Sequence, residues 1–130
     1  MTKEELIEYC LQKPRAQICY PFGPDYIVVK AKSSARSKLY TFAEIFELEG
    51  RLKMTFRCDM ITTRFLRVRY KKVVVPAYRC KPEHLPYKST LDVATFTDDK
   101  MKYFVDLSYE RACLVATYNR KKRYRLAAKK

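Results

Sequence analysis

The stretch from Leu39 to Arg57 constrains the fold most. Residues 51–57 (Arg-Leu-Lys-Met-Thr-Phe-Arg) alternate polar and apolar side chains, and a β-branched and aromatic run precedes them across Glu49-Gly50-Arg51. Gly50 is one of only two glycines in the chain, so a turn requiring positive φ is best placed there. The pattern predicts an antiparallel hairpin, strands Leu39–Leu48 and Leu52–Arg57 joined by a three-residue loop. In that register Leu48 opposes Leu52, Phe46 opposes Met54, Glu47 opposes Lys53 and Ile45 opposes Thr55. Opposed residues share a face, and Glu44 against Phe56 is the one mismatch. Leu52, Met54 and Phe56 then go to the core, and Arg51, Lys53 and Arg57 form a cationic outer face.

The neighbouring segments supply the other layer. Thr2 can cap a first helix, with Glu5 at the reciprocal position and Leu6, Ile7, Cys10 and Leu11 on one face; Pro14 ends it. Residues 14–25 read as an irregular connection, and Tyr26–Val29 as a strand. Asp59 is a natural N-cap for a second helix, in which Ile61, Phe65 and Val68 recur at helical spacing as a buried stripe, with Arg64, Arg67 and Lys71 beside it. After an irregular, proline-bearing loop over 77–87, Lys88–Val93 makes a short strand. Thr97 caps a long final helix, with Asp98 and Asp99 in its first turn and Met101, Phe104, Val105, Tyr109, Ala112 and Ala116 on its apolar face. The expected class is α+β: an antiparallel sheet, a meander plus one further strand, with helices packed on one side. Residues 1–118 form the single domain and 119–130 a basic C-terminal tail.

Charge narrows the function. The formal net charge is +14, and it is unevenly placed. Residues 1–50 balance; residues 51–81 carry ten basic side chains against Asp59 alone; residues 119–130 carry seven and no acidic one. Two concentrated cationic blocks imply a polyanionic partner. No apolar run is long enough to span a bilayer, and Met-Thr-Lys-Glu-Glu lacks the order of a signal peptide, so a cytoplasmic address is expected. Five cysteines, odd in number and without a C-x-x-C pair, fit reduced thiols. Cys80 and His84 lack a second ligand pair, so no metal is expected, and with only Gly23 and Gly50 there is no glycine-rich phosphate loop. No catalytic residue and no cofactor are assigned.

Several landmarks, in this order and spacing, resemble the MmcQ/YjbR family of small bacterial proteins. They are Lys13-Pro14-Arg15-Ala16 after the first helix, Arg57-Cys58-Asp59 between strand and helix, and Pro76-Ala77-Tyr78. His84, Leu91-Asp92 and Asp106-Leu107-Ser108-Tyr109 follow. Arg15 and Ala77 stand where the family pattern has glycine, and Leu85 where it has tryptophan. The resemblance covers roughly residues 2–118. It implies a double-wing, nucleic-acid-binding-like architecture and carries a DNA-binding label.

The expected function is therefore non-catalytic DNA binding through the phosphate backbone, with duplex DNA as partner and no membrane. Lys30, Lys32, Arg36, Lys38, Arg51, Lys53 and Arg57 would act as wings, and Arg64, Arg67 and Lys71 as a helical basic face. Arg120, Lys121, Lys122, Arg123 and Arg125 would form a mobile arm, with Tyr124 as the best base-stacking candidate. Tyr78, Tyr87 and Tyr118 also lie in or beside basic or irregular segments, whereas Tyr26, Tyr40 and Tyr109 read as core residues. No base-reading set is visible, which favours non-specific or shape-dependent contact. The alternative is an interaction module that docks on an acidic protein or a ribonucleoprotein.

Overall fold

A computed structural model describes the backbone of residues 1–128 and the side chains of residues 1–115. Six antiparallel strands form one sheet in the order β1-β2-β3-β4-β6-β5. They are β1 (Gln17–Cys19), β2 (Tyr26–Ala31), β3 (Tyr40–Leu48), β4 (Arg51–Arg57), β5 (Val74–Pro76) and β6 (Lys88–Asp92). Three helices, α1 (Lys3–Leu11), α2 (Met60–Arg69) and α3 (Asp98–Ala128), complete the α+β fold. The short edge strand β1 falls in the 14–25 connection that the sequence reads as irregular, and β5 in a stretch before the 77–87 loop to which that reading assigns no element. Each has three residues, too few for alternation to show, and Pro76 ends β5 where an edge strand tolerates a missing donor.

One face of the sheet carries the core. Val29, Ile45, Met54, Phe56 and Leu91 pack with Leu6 and Cys10 of α1, Leu66 of α2 and Met101, Phe104, Val105 and Ala112 of α3. The capping box of α1 forms as expected: Glu5 N–H donates to Thr2 Oγ1 and Thr2 N–H to the Glu5 carboxylate, both at 3.1 Å. Burial pushes the Cys10 thiol up to about 12, which leaves it a small inert hydrophobe.

The hairpin differs from its expected register by one residue. Leu48 pairs with Arg51, Glu47 with Leu52, Phe46 with Lys53, Ile45 with Met54 and Glu44 with Thr55. The loop is the two-residue turn Glu49-Gly50, with φ of 53° and 75°, the backbone of the primed turn whose twist suits a tight hairpin. Glutamate in a left-handed conformation hides that turn from a sequence reading, which expects asparagine or aspartate there. The shift removes the mismatch at Glu44, which now lies beside Thr55. Met54 and Phe56 reach the core as expected. Phe46 instead joins Tyr26 and Val28 in a small cluster on the opposite face.

The second helix is turned away from its expected orientation. Thr63 and Leu66 are buried, whereas Ile61, Phe65 and Val68 are 82%, 64% and 79% exposed. Local hydrogen bonds fix the rotation. Asp59 accepts from the Thr62 amide at 2.8 Å and the Thr62 hydroxyl at 2.7 Å, and Thr63 Oγ1 donates to the Asp59 carbonyl and meets Cys58 Sγ at 3.1 Å. Those bonds lower the Asp59 carboxyl below its usual range, the Thr62 amide contributing most.

The last helix is held by the residues of the Asp-x-Ser-Tyr landmark. Asp106 accepts from Tyr9 OH at 2.7 Å and pairs with Lys13, and Tyr109 OH donates to the Pro14 carbonyl at 2.9 Å. Ser108, fully buried, donates to the Phe42 carbonyl and accepts from the Arg57 amide at 2.9 Å. Phe42 is the extra residue of a β-bulge, since Val29 pairs with Ala43 and Lys30 with Thr41. Arg15, at the position where the family pattern has glycine, sits at φ 60°. Helix α3 runs without a break to Ala128, so the mobile arm expected over 119–130 is helical as far as that residue.

Two substitutions probe this framework. Ser108→Ala orphans a buried carbonyl and amide and should lower the unfolding free energy by about 1–3 kcal/mol in denaturant titration. Asp59→Ala should cost about 1 kcal/mol at neutral pH through loss of the cap. Its folded pKa lies below its unfolded one. The contribution is therefore complete above the unfolded value of about 4 and fades as pH falls through the folded one. Parent and variant should converge in acid, and a pH-independent gap would contradict the capping role.

Candidate nucleic-acid interface

The antiparallel topology gathers basic residues at one end of the sheet. Strand β2 ends at Ala31, β3 starts at Tyr40, β4 ends at Arg57 and β6 starts at Lys88, and these strands are neighbours. The β2–β3 loop therefore brings Lys32, Arg36 and Lys38 to the end where Arg57 and Lys88 stand opposite each other. Helix α3 passes that end at Ser108, which contacts both β3 and β4, and continues to Ala128. Arg36 and Lys38 are exposed, Lys30 and Lys32 half-buried. Arg64 and Lys71 are exposed on α2 and just beyond it. The side chains of Arg120, Lys121, Lys122, Arg123, Tyr124 and Arg125 lie outside the described residues, as does that of Tyr118.

Three of the expected phosphate contacts have other work. Arg51 binds Asp92, its Nε donating at 3.0 Å. Burial tends to raise the Asp92 carboxyl, but Arg51, Thr95 and Lys53 outweigh it and hold it below the usual range. Lys53 stands directly opposite Asp92 and is half-buried. Arg67 donates to the carbonyls of Leu85 and Lys88 and, at 3.1 Å, to Ser89 Oγ, so it ties α2 to the 85–89 segment instead of extending a basic helical face. Arg57 does lie on the face opposite the core, yet it is half-buried. The outer strand surface is thus partly covered, because the 77–87 loop lies against it, Tyr78 stacking on Phe46 and donating its amide to Thr90 Oγ1 at 2.9 Å.

Arg57 opens into a cavity of about 390 Å³ lined by Tyr40, Arg57, His84, Tyr87, Lys88, Arg111 and Val115. Glu44, hydrogen-bonded by Tyr26 OH at 2.8 Å, lies 3.8 Å from Lys88 Nζ. The side chains of Lys88 and Glu44 are 16% and 11% exposed. Burial lowers the pKa of both Arg57 and Lys88; Glu44 opposes the fall in each, and Arg111 deepens it for Arg57. The Arg111 guanidinium lies 5.6 Å from the Tyr87 ring centroid. Among the described residues no carboxylate comes within ion-pair distance of Arg57 or Arg111. The sequence reading missed Lys88 and Arg111, which stand singly in a segment, 82–118, where acidic residues outnumber basic ones. The register reveals Lys88 by opposing it to Arg57, and the placement of α3 on the sheet reveals Arg111.

A second feature is aromatic. Phe22, Tyr26, Phe46 and Tyr78 form a chain of ring contacts at 5.2, 4.8 and 5.3 Å, and Arg79 lies over three of those rings. Tyr26 is the core residue expected, its hydroxyl bound to Glu44. Tyr78 stacks on Phe46 and is 38% exposed, and Phe22 at the other end is 61% exposed, so both end rings of this chain reach the surface. Among the described residues no three His, Cys, Asp or Glu side chains converge as a metal site, and no helix is long and apolar enough to cross a membrane.

No protein-family model matches the chain, and neither does any curated protein. Solved structures share its architecture. Protein DR2400 of Deinococcus radiodurans, which carries the family-model domain DUF419, superposes with a TM-score of 0.71 at 18% identity, over 83% of this chain and 75% of that one. A protein from Pseudomonas syringae superposes with a TM-score of 0.65 at 17% identity, over 83% of this chain and 96% of that one. DUF419 is the MmcQ/YjbR-like family; the likeness is one of fold, and it is the fold to which the sequence landmarks point.

Proposed function

We propose that this chain is a divergent, non-catalytic MmcQ/YjbR-like protein of the bacterial cytoplasm that binds duplex DNA through its phosphates. The observation that carries this reading is the collection of cations at one end of the sheet. Among the described residues, Lys32, Arg36 and Lys38 have no ion-pair partner there, and the helix that passes the same end carries the basic residues Arg120, Lys121, Lys122, Arg123 and Arg125 in its last turns. Arg64 and Lys71 extend the surface along α2. Phosphate contacts of this kind give affinity and orientation without base readout. The exposed stripe Ile61, Phe65 and Val68 supports a second reading, an interaction module for an acidic protein partner, since a phosphate backbone offers such a stripe nothing to bury against.

Salt dependence separates the two. Each phosphate neutralised contributes about −0.9 to the slope of log affinity against log salt. Arg36→Ala, Lys38→Ala and Arg64→Ala should each flatten the slope for a duplex by about one unit without changing any sequence preference. Arg51→Ala should alter it little, because Arg51 is committed to Asp92. Unchanged duplex affinity in the triple variant would overturn the DNA reading. Loss of partner capture on Phe65→Ser with duplex binding intact would assign the α2 stripe to a protein.

A further inference from the structure

The cavity at the sheet end holds more positive charge than its own structure neutralises. Arg57 and Lys88 are directly opposed across β4 and β6, an arrangement that destabilises a sheet when like charges face each other. Arg111 adds a third cation from α3, and no carboxylate among the described residues lines the cavity; Glu44 acts from beside Lys88, and Asp59, which feels Arg111, is committed to the cap of α2. Residues 111–130 contain no aspartate or glutamate to supply the missing counter-charge. Two half-buried guanidinium groups with no carboxylate at ion-pair distance among the described residues cost stability in the empty protein, and an anion entering between them recovers it.

From this geometry we infer that the cavity is a binding site for a small phosphate monoester carrying a planar or apolar body. Three cations around a cavity that no carboxylate among the described residues lines suit a dianion, and a phosphate monoester carries close to two negative charges at neutral pH. Guanidinium forks from two sides, Arg57 on the sheet and Arg111 on the helix, suit a tetrahedral oxyanion better than a single carboxylate. The remaining walls are the rings of Tyr40, His84 and Tyr87 and the side chain of Val115, which fit a planar or apolar body of the ligand. The volume of about 390 Å³ lies within the range of small-molecule sites, roughly 300–1,000 Å³. This site goes beyond the proposed duplex contact: a backbone diester carries one charge and is too large to enter the cavity whole.

Phenyl phosphate tests the assignment by calorimetric titration of the full chain at fixed ionic strength, with methyl phenyl phosphate as the singly charged diester control. Phenyl phosphate should bind at least tenfold more tightly than the diester. Arg111→Gln and Lys88→Gln should each weaken it at least tenfold, and Arg64→Gln, on the α2 surface, should leave it unchanged. If Lys88→Gln does not fold, Lys88→Arg, which keeps the charge, should retain binding, and Arg111→Gln decides. Equal affinity for monoester and diester, or parent-like binding by Arg111→Gln, would overturn the proposal. A short duplex added as competitor should leave phenyl phosphate in place. Displacement by the duplex would mean that the cavity receives a backbone phosphate, which also overturns the small-ligand assignment. Failure of every phosphate probe with duplex binding intact would sink this inference alone.

Discussion

The hydroxyl of Ser108 is the contact on which both the fold and the site depend. It joins the last helix to two strands at once, donating to the carbonyl of Phe42 at the β3 bulge and accepting from the amide of Arg57 at the end of β4. A bulge interrupts the ladder and bends its strand, and a buried helix residue with one donor and spare acceptor capacity can satisfy backbone groups that the ladder leaves. Because the residue is fully buried, the contact fixes the rotation and height of α3 on the sheet. One helical turn further on, Arg111 is thereby set at the cavity that also holds Arg57. Moving the helix by one residue would separate the two arginines.

The landmarks shared with the MmcQ/YjbR pattern do scaffold work in this chain. Lys13 and Asp106 pair across α1 and α3, and Tyr109 reaches the Pro14 carbonyl. Arg57-Cys58-Asp59 turns β4 into α2 through the Asp59 cap, and Asp92 receives Arg51 and Thr95. Apart from the local Asp59 cap, these contacts join elements distant in sequence, so they hold the fold together. That role explains why these landmarks say little about ligand. The residues that line the cavity are, apart from Arg57 and His84, outside the landmark set, so two proteins can share every landmark and differ in what they bind.

What was legible in the sequence follows from the range of the forces involved. Caps are local, and Thr2, Asp59 and Thr97 act as their spacing predicts. The alternation in β4 correctly sends Met54 and Phe56 inward. The register failed because it turned on one residue, Glu49, taking a left-handed backbone that glutamate rarely adopts. The orientation of α2 failed for a different reason. Periodicity reports an apolar stripe without saying where it points, and here the bonds of Thr63 and Arg67 outweigh burial of Ile61, Phe65 and Val68. The cavity was not legible at all, since its three cations come from β4, β6 and α3 and meet only through topology.

Net charge and local charge answer different questions in this protein. The value of +14 acts at long range and is screened over about 10 Å in ordinary salt; it favours encounter with any polyanion. Arg51 and Arg67 contribute to that field although their donors are occupied, which is why counting basic residues overstates the number of contacts they can make. The cavity is the reverse case: few charges, but half-buried, where screening is weak and each unpaired cation is costly. A protein that needed positive charge only for solubility or for sliding along a polyanion would keep it on the surface, as Arg36, Lys38 and Arg64 do. Placing Arg57, Lys88 and Arg111 around one cavity gives up stability in the empty state, and that cost is recovered only by an anion small enough to enter.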